Sequence, residues 1–240
     1  MTSPRRGATI AVAPAIATAL FVVAEITLGV LLQTLPGTAA MWCAFASVVL
    51  ACLFCILSAE RSVAYLCTQL ALVCTVCADR FLVLERPPIQ RPAMIFFSMA
   101  QLLYFARLYD ADGSPRRRRV HLVLRLTLSV VALAATCLVL RESADAVALL
   151  SVFYYAQLAL NVVFAFLQGR EHRLMAISLL LFIGCDTLIG LAFLGNYVTI
   201  SPDSPIYALI HPGFDLAWAL YVPSQTLMAI SLLPRRWRRL

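Results

Sequence analysis

The chain has 240 residues, 62% of them hydrophobic and only 13% charged, with a net charge of +7. Its mean hydropathy is +0.88, whereas a soluble domain is roughly half apolar and about a quarter charged. The composition excludes a soluble globular fold and predicts a single all-α, multi-pass membrane domain over residues 1–240.

The predicted spans are 8–33, 38–58, 62–84, 93–109, 120–140, 146–168, 173–195 and 213–233. Each is close to the roughly 20 residues needed to cross the hydrocarbon of a bilayer. The first apolar run extends to Leu32, too long for a signal-peptide core, so it reads as a retained span. Pro36 and Gly37 turn the chain into the second span, and the stretch from Arg86 through Pro87, Pro88 and Pro92 cannot continue a helix. Residues 110–116 form the most polar loop. A longer connection opens at Ser201 and closes at His211, Pro212 and Gly213.

All 19 basic residues are arginine, and they decide the orientation. With the N-terminus in the cytoplasm, Arg5, Arg6, Arg61, Arg107, Arg116, Arg117, Arg118, Arg119, Arg170, Arg173, Arg235, Arg236, Arg238 and Arg239 lie inside. Arg86, Arg91 and Arg141 lie outside, and Arg80 and Arg125 fall within spans. Fourteen against three is a decisive positive-inside bias, which requires an even number of spans and both termini in the cytoplasm of a cell-membrane protein. The inner arginines are expected to meet anionic lipid head groups. No basic groove interleaved with aromatics is present, so nucleic acid is excluded as a partner.

The segment Val76, Cys77, Ala78, Asp79 of span three is echoed by Ile183, Gly184, Cys185, Asp186 of span seven. Ala100 and Gln101 of span four are echoed by Ser224 and Gln225 of span eight. The matched segments lie four spans apart, which is the spacing of a parallel 4+4 repeat.

A charge inside the hydrocarbon is costly, and each one needs a reason. Asp79 and Asp186 are the leading candidates for chemistry, at about 26 Å and about 20 Å from the inner ends of their spans. Glu25, about 26 Å up span one, is a third. Their common level predicts one polar cavity leaning outward. Asp215 follows Pro212 and Gly213 and has a structural reading, as the carboxylate of a helix N-terminus. Polar residues that share helix faces complete the set: Gln101 with Tyr104, Tyr221 with Gln225, and Gln157 with Asn161. Such groups also serve simply to hold helices together. His121 and Arg125 are expected near the inner end of span five, with the arginine snorkelling to the head groups.

Eight cysteines fall in apolar runs, two pairs of them with the spacing of Cys52 to Cys55 and Cys74 to Cys77. On a helix that spacing also describes packing of small residues on one face, and packing is the favoured reading over a metal or a disulfide. No metal site is therefore predicted. Motifs of zinc proteases, serine hydrolases, phosphate loops and dinucleotide sites are absent.

The segment around Ala78 and Asp79 followed by Phe97 to Tyr104, and its counterpart Leu181 to Asp186 followed by Leu220 to Gln225, resemble the YhhN-type lysoplasmalogenase family of eight-span membrane proteins. The layout agrees along the whole chain. Two features depart from the family: Gln101 stands where a His is usual, and an early Lys-Pro is missing. These bear on the substrate more than on the fold.

The resemblance implies hydrolysis of the vinyl ether bond of a lysoplasmalogen, releasing a fatty aldehyde. Paired carboxyls suit that reaction, one as a proton donor to carbon and the other acting on the cation or on water. On this reading Asp79 and Asp186 are catalytic. Gln101, Tyr104, Tyr221, Gln225 and Glu25 bind the lipid substrate or water, and no cofactor is needed. Two other classes fit the same residues. One is a proton-coupled transporter, and the other is a lipid-binding membrane protein without catalysis.

Overall fold

A computed structural model describes residues 5–58, 62–195, 198–211 and 213–233, with the side chains of residues 5–14 left aside. Arg61, Arg235, Arg236, Arg238, Arg239 and Pro212, used above, lie outside the described residues. Among the described residues nine α-helices follow in order: α1 (Arg5–Thr34), α2 (Gly37–Ser58), α3 (Val63–Asp79), α4 (Gln90–Ala111), α5 (Pro115–Leu140), α6 (Ala146–Leu167), α7 (Arg173–Leu194), α8 (Pro205–Ile210) and α9 (Leu216–Ile230). A π-helical turn, Arg80–Leu84, extends α3. Among the described residues there is no β-strand.

Among the described residues six segments are long and apolar enough to cross a membrane: 15–34, 37–58, 63–84, 115–143, 146–167 and 170–194. Helix α4 has the length, at 22 residues, but Gln101, Arg107 and Asp110 dilute its apolar character. Helix α9 is apolar but has only 15 residues. An eight-span arrangement needs both of these to cross as well.

The packing explains the apolar exterior. Helices α2, α3, α4, α6, α7 and α9 form a closed ring in which each packs on the next, and α9 returns to α2. The peripheral helices are α1, on α2 and α9, and α5, on α6. Exposed Leu20, Val23, Ile26 and Val30 of α1, and Leu126, Val130 and Val131 of α5, face outward. Lipid is the solvent that tolerates such a surface. The tightest pairings are α3 with α4 and α7 with α9, so each Asp-bearing helix is paired with the helix carrying its matching Gln.

Local sequence explains several details. Ser62 and Asp145 accept the N–H groups of Tyr65 and Ala148, capping α3 and α6. Helix α5 begins at Pro115, so Arg116 to Arg119 occupy its first turns rather than a loop. The proline fixes the backbone angle that a first turn requires. The connection between α7 and α9 contains the short helix α8, and exposed His211 at its end stacks on Tyr207. Pro223 lies inside α9, where it removes a backbone donor. The next residue, Ser224, ties α9 to α7 through a reciprocal pair: the Ser178 hydroxyl donates to the Ser224 carbonyl at 2.8 Å, and Ser224 to the Ser178 carbonyl at 2.9 Å. Further along the same pairing Gly184 leaves room for Leu220, whose Cδ1 would lie 3.2 Å from an added Cβ.

All eight cysteines are free, and Cys52, Cys55, Cys74 and Cys185 are buried in the interior.

Candidate functional site

Two tyrosine–aspartate pairs define the site. Asp79 ends α3 just before the π-helical turn, a local widening often found at functional positions. It is only 4% exposed, and its Oδ2 accepts the Tyr221 hydroxyl of α9 at 2.6 Å. Asp186 sits in the middle of α7, is half-buried, and accepts the hydroxyl of Tyr154 of α6. The two carboxyls lie within electrostatic range of one another.

An aromatic wall links the pairs. Phe97 of α4 packs on Tyr154 at 5.5 Å and on Phe182 of α7 at 6.1 Å between ring centroids. Phe182 in turn meets Tyr221 at 5.3 Å, and Trp218 meets Tyr221 at 5.2 Å. Four ring helices thus supply the wall, while α3 supplies Asp79. The rings pack around Asp79 and leave Asp186 half-buried, and the tyrosine hydroxyls orient both carboxyls.

The remaining candidates from the sequence are distributed differently. Gln101 is fully buried, and its side-chain and backbone oxygens both accept Asn161 Nδ2 at 2.9 Å. Tyr104 is fully buried beside Thr75, one turn further along α4. Gln225 lies one turn after Tyr221 and is 1% exposed, with its side-chain oxygen lacking a hydrogen-bond partner among the described residues. Glu25 is 1% exposed and accepts the hydroxyl of Ser47 on α2. No hydrogen bond joins it to either Asp or to their tyrosines among the described residues. Asp215 caps α9, accepting the Trp218 N–H at 3.1 Å, in accord with its structural reading.

Two features were not foreseen. Tyr154 escaped notice because its role depends on the partner helix α7. Its signal was the shared face of Tyr154, Gln157 and Asn161, at steps of three and four along α6. Arg125 does not snorkel to the head groups. It is 5% exposed and turns into the bundle, donating to Gln157 Oε1 at 2.7 Å and Asn161 Oδ1 at 2.5 Å. The amide acceptors on α6 meet the guanidinium where it sits, some ten residues beyond the start of α5. Among the described residues no three His, Cys, Asp or Glu side chains gather as a metal site requires.

A ring of apolar helices that encloses two carboxyls, each held by a tyrosine, defines a polytopic membrane protein with a buried acidic site. Residues 38–232 match the YhhN family, and the chain belongs to that family. Neither a curated protein nor a solved structure matches it.

Proposed function

We propose that the protein is a membrane hydrolase that cleaves the vinyl ether bond of lysoplasmalogen-type lipids. The observation that carries this reading is the unequal pair of carboxyls, Asp79 enclosed and Asp186 half-buried, each oriented by a tyrosine on one aromatic wall. Membership of the YhhN family supports it. Paired carboxyls in different surroundings are how one site supplies an acid and a base together.

The reaction proceeds by protonation at carbon. Asp79, the more enclosed carboxyl, gives its proton to the β-carbon of the vinyl ether, and the π electrons form the new C–H bond. The resulting oxocarbenium ion is stabilised by the Asp186 carboxylate. Water attacks the α-carbon while Asp186 takes its proton, giving a hemiacetal. Transfer of the hemiacetal hydroxyl proton to the ether oxygen breaks the C–O bond, releasing the aldehyde and the glycerol hydroxyl. One proton has left Asp79 and one has reached Asp186, so relay between them restores the site. Tyr221 and Tyr154 fix the two carboxyls, and the buried polar groups of Gln101, Tyr104 and Gln225 are proposed to orient the substrate or water.

In the same proposal eight helices cross the membrane, including α4 and α9, with both termini cytoplasmic and the arginine clusters facing anionic head groups. The test is aldehyde release from a lysoplasmalogen by detergent-purified protein, beside Asp79→Asn and Asp186→Asn. Release by the wild type, lost in the variants, supports the assignment. Full activity in both folded variants would sink it. Movement of an intact solute across liposomes, with no aldehyde formed, would favour a carrier.

A further inference from the structure

A second polar cluster, distinct from the aspartates, lies nearer the inner ends of α4, α5 and α6. Its centre is Arg125. The two hydrogen bonds of its terminal nitrogens go to neutral amides, and it forms no ion pair with any described residue. Its Nε is buried without an acceptor. One turn away on α5, His121 is fully buried, and neither ring nitrogen has a hydrogen-bond partner among the described residues. The acidic group within electrostatic range of His121 is Asp112, whose carboxylate already accepts the Ser114 N–H at 3.3 Å.

Amides satisfy hydrogen bonds but do not neutralise a charge. A guanidinium removed from water is costly unless an anion accompanies it. The cluster therefore holds a surplus of donors and an unbalanced positive charge.

The surroundings say what shape of anion fits. Phe105 of α4 packs beneath the Arg125 guanidinium at 4.1 Å and edge-on to His121 at 5.9 Å. The same Phe105 lines a cleft of about 510 Å³ between α3, α4 and α5, with Val63, Cys67 and Leu122 as apolar walls and Tyr109, Asp110 and Arg118 as polar ones, while Arg125 and His121 stand behind Phe105 and do not line it. The cleft exists because α5 packs on α6 and stands away from α3. A cleft with one apolar side, separated from a buried cation by a single ring, is complementary to an amphiphile.

The cluster is also connected to the aspartates. Asn161, which accepts from Arg125, lies two turns from Tyr154 on α6, about 10 Å along the axis, and Tyr154 donates to Asp186. A lipid held by its phosphate at Arg125 would carry its first chain atoms toward Asp186. In a lysophospholipid, a glycerol unit separates the phosphate from the ether oxygen.

We infer that Arg125, assisted by His121, binds the phosphate of a single-chain phospholipid, entering between α3, α4 and α5 with its head group toward the cytoplasmic face. The inference rests on the hydrolase reading for the class of ligand, and it supplies the head-group subsite that reading lacks.

The test uses binding rather than turnover, so that it stands apart from the aldehyde assay. The ligands are a saturated 1-O-alkyl lysophosphoethanolamine, which has no vinyl bond to cleave, and the matching alkylglycerol without phosphate. Wild-type protein in detergent should bind the phospholipid more tightly than the alkylglycerol by about ten- to a hundredfold, the range expected of hydrogen bonds to a charged group. Arg125→Gln should lose this preference, and Arg125→Lys should keep part of it. Equal binding of the two ligands by the wild type overturns the inference without any variant having to fold. An undiminished preference in folded Arg125→Gln does the same. Inorganic phosphate that binds as tightly as the phospholipid would overturn the lipid assignment in favour of a soluble anion. An aldehyde assay that fails while the preference holds would remove the reaction and leave the head-group site standing.

Discussion

The two halves of the molecule, α1 to α4 and α5 to α9, share a framework and differ in what they hold. In each half the first helix is peripheral, the second packs on the third, and the third pairs most tightly with the last. Across the halves, α4 meets α6 as α9 meets α2. Each peripheral helix turns a buried charge inward, but the signs are opposite: Glu25 of α1 against Ser47 of α2, and Arg125 of α5 against Gln157 and Asn161 of α6. Each third helix carries an Asp, yet Asp79 takes its hydroxyl from the opposite half and Asp186 takes its own from α6. The position four residues before the matching Gln is Phe97 in α4 and Tyr221 in α9. A twofold framework can be inherited whole while the polar contents diverge, and the divergence is where distinct roles arise.

The largest expected effects test that inequality. General acid–base catalysis is worth about 10²- to 10⁴-fold. Asp79→Asn, which removes the proposed proton donor, should fall near the upper figure in aldehyde release, and Asp186→Asn near the lower, since water reaching the half-buried site takes over as base. Equal losses would mean that the two carboxyls are not divided between acid and base. The tyrosines come next. Tyr221→Phe and Tyr154→Phe each delete one hydrogen bond to a carboxyl, worth about 1.5–3 kcal/mol when the acceptor is charged. Each should reduce turnover by about ten- to a hundredfold, with Tyr221→Phe the more severe if its partner delivers the proton. A larger loss in Tyr154→Phe would reverse the assignment of roles.

How far the sequence foretold this arrangement depends on the reach of each signal. The helices were legible because composition and proline punctuation are local: Pro36 and Gly37 end α1, and Pro87 and Pro88 follow the π-helical turn. Asp79 and Asp186 stood out because an intramembrane carboxyl is conspicuous by itself. Asp215 was readable as a cap because capping is settled within four residues. Tyr154 was not, since only contact between α6 and α7 gives it a partner. Arg125 was misread for a similar reason. Position along a span suggested snorkelling, and the amides that hold it inside lie more than thirty residues away on another helix. The π-helical turn after Asp79 has no residue pattern that marks it, and nothing in its sequence announces it.

Smaller effects sharpen the comparison at the α7–α9 pairing, the counterpart of α3–α4. At Gly184 of α7 an added Cβ would meet the flexible end of Leu220 of α9 at 3.2 Å. Gly184→Ala should be close to neutral, because a helical Gly-to-Ala change gains up to about 1 kcal/mol while Leu220 yields by a few tenths of an ångström. Gly184→Leu should lower stability by about 1–3 kcal/mol through overpacking. Thermal unfolding in detergent reads the difference. If Leu and Ala behave alike, the helices are not in close contact at this level.

The smallest effect concerns the start of α9, which has no counterpart cap at α4, where Ile89 precedes the helix without a side-chain hydrogen bond. Asp215 accepts the Trp218 N–H, while its own backbone N–H donates to Gln33 Oε1 at 2.9 Å and its carbonyl accepts Gln33 Nε2 at 2.8 Å. The side chain and the backbone thus do separate jobs, one capping α9 and the other fastening it to α1. Asp215→Ala removes only the first, at a cost of about 1 kcal/mol, and Asp215→Asn should retain most of it. Gln33→Ala removes the second and leaves the cap. Since Trp218 and Tyr221 lie in the first turns of α9, a lowered unfolding temperature with unchanged aldehyde release in Asp215→Ala would assign the cap to stability alone. A drop in release at temperatures where the variant remains folded would show instead that the cap holds Tyr221 in register with Asp79.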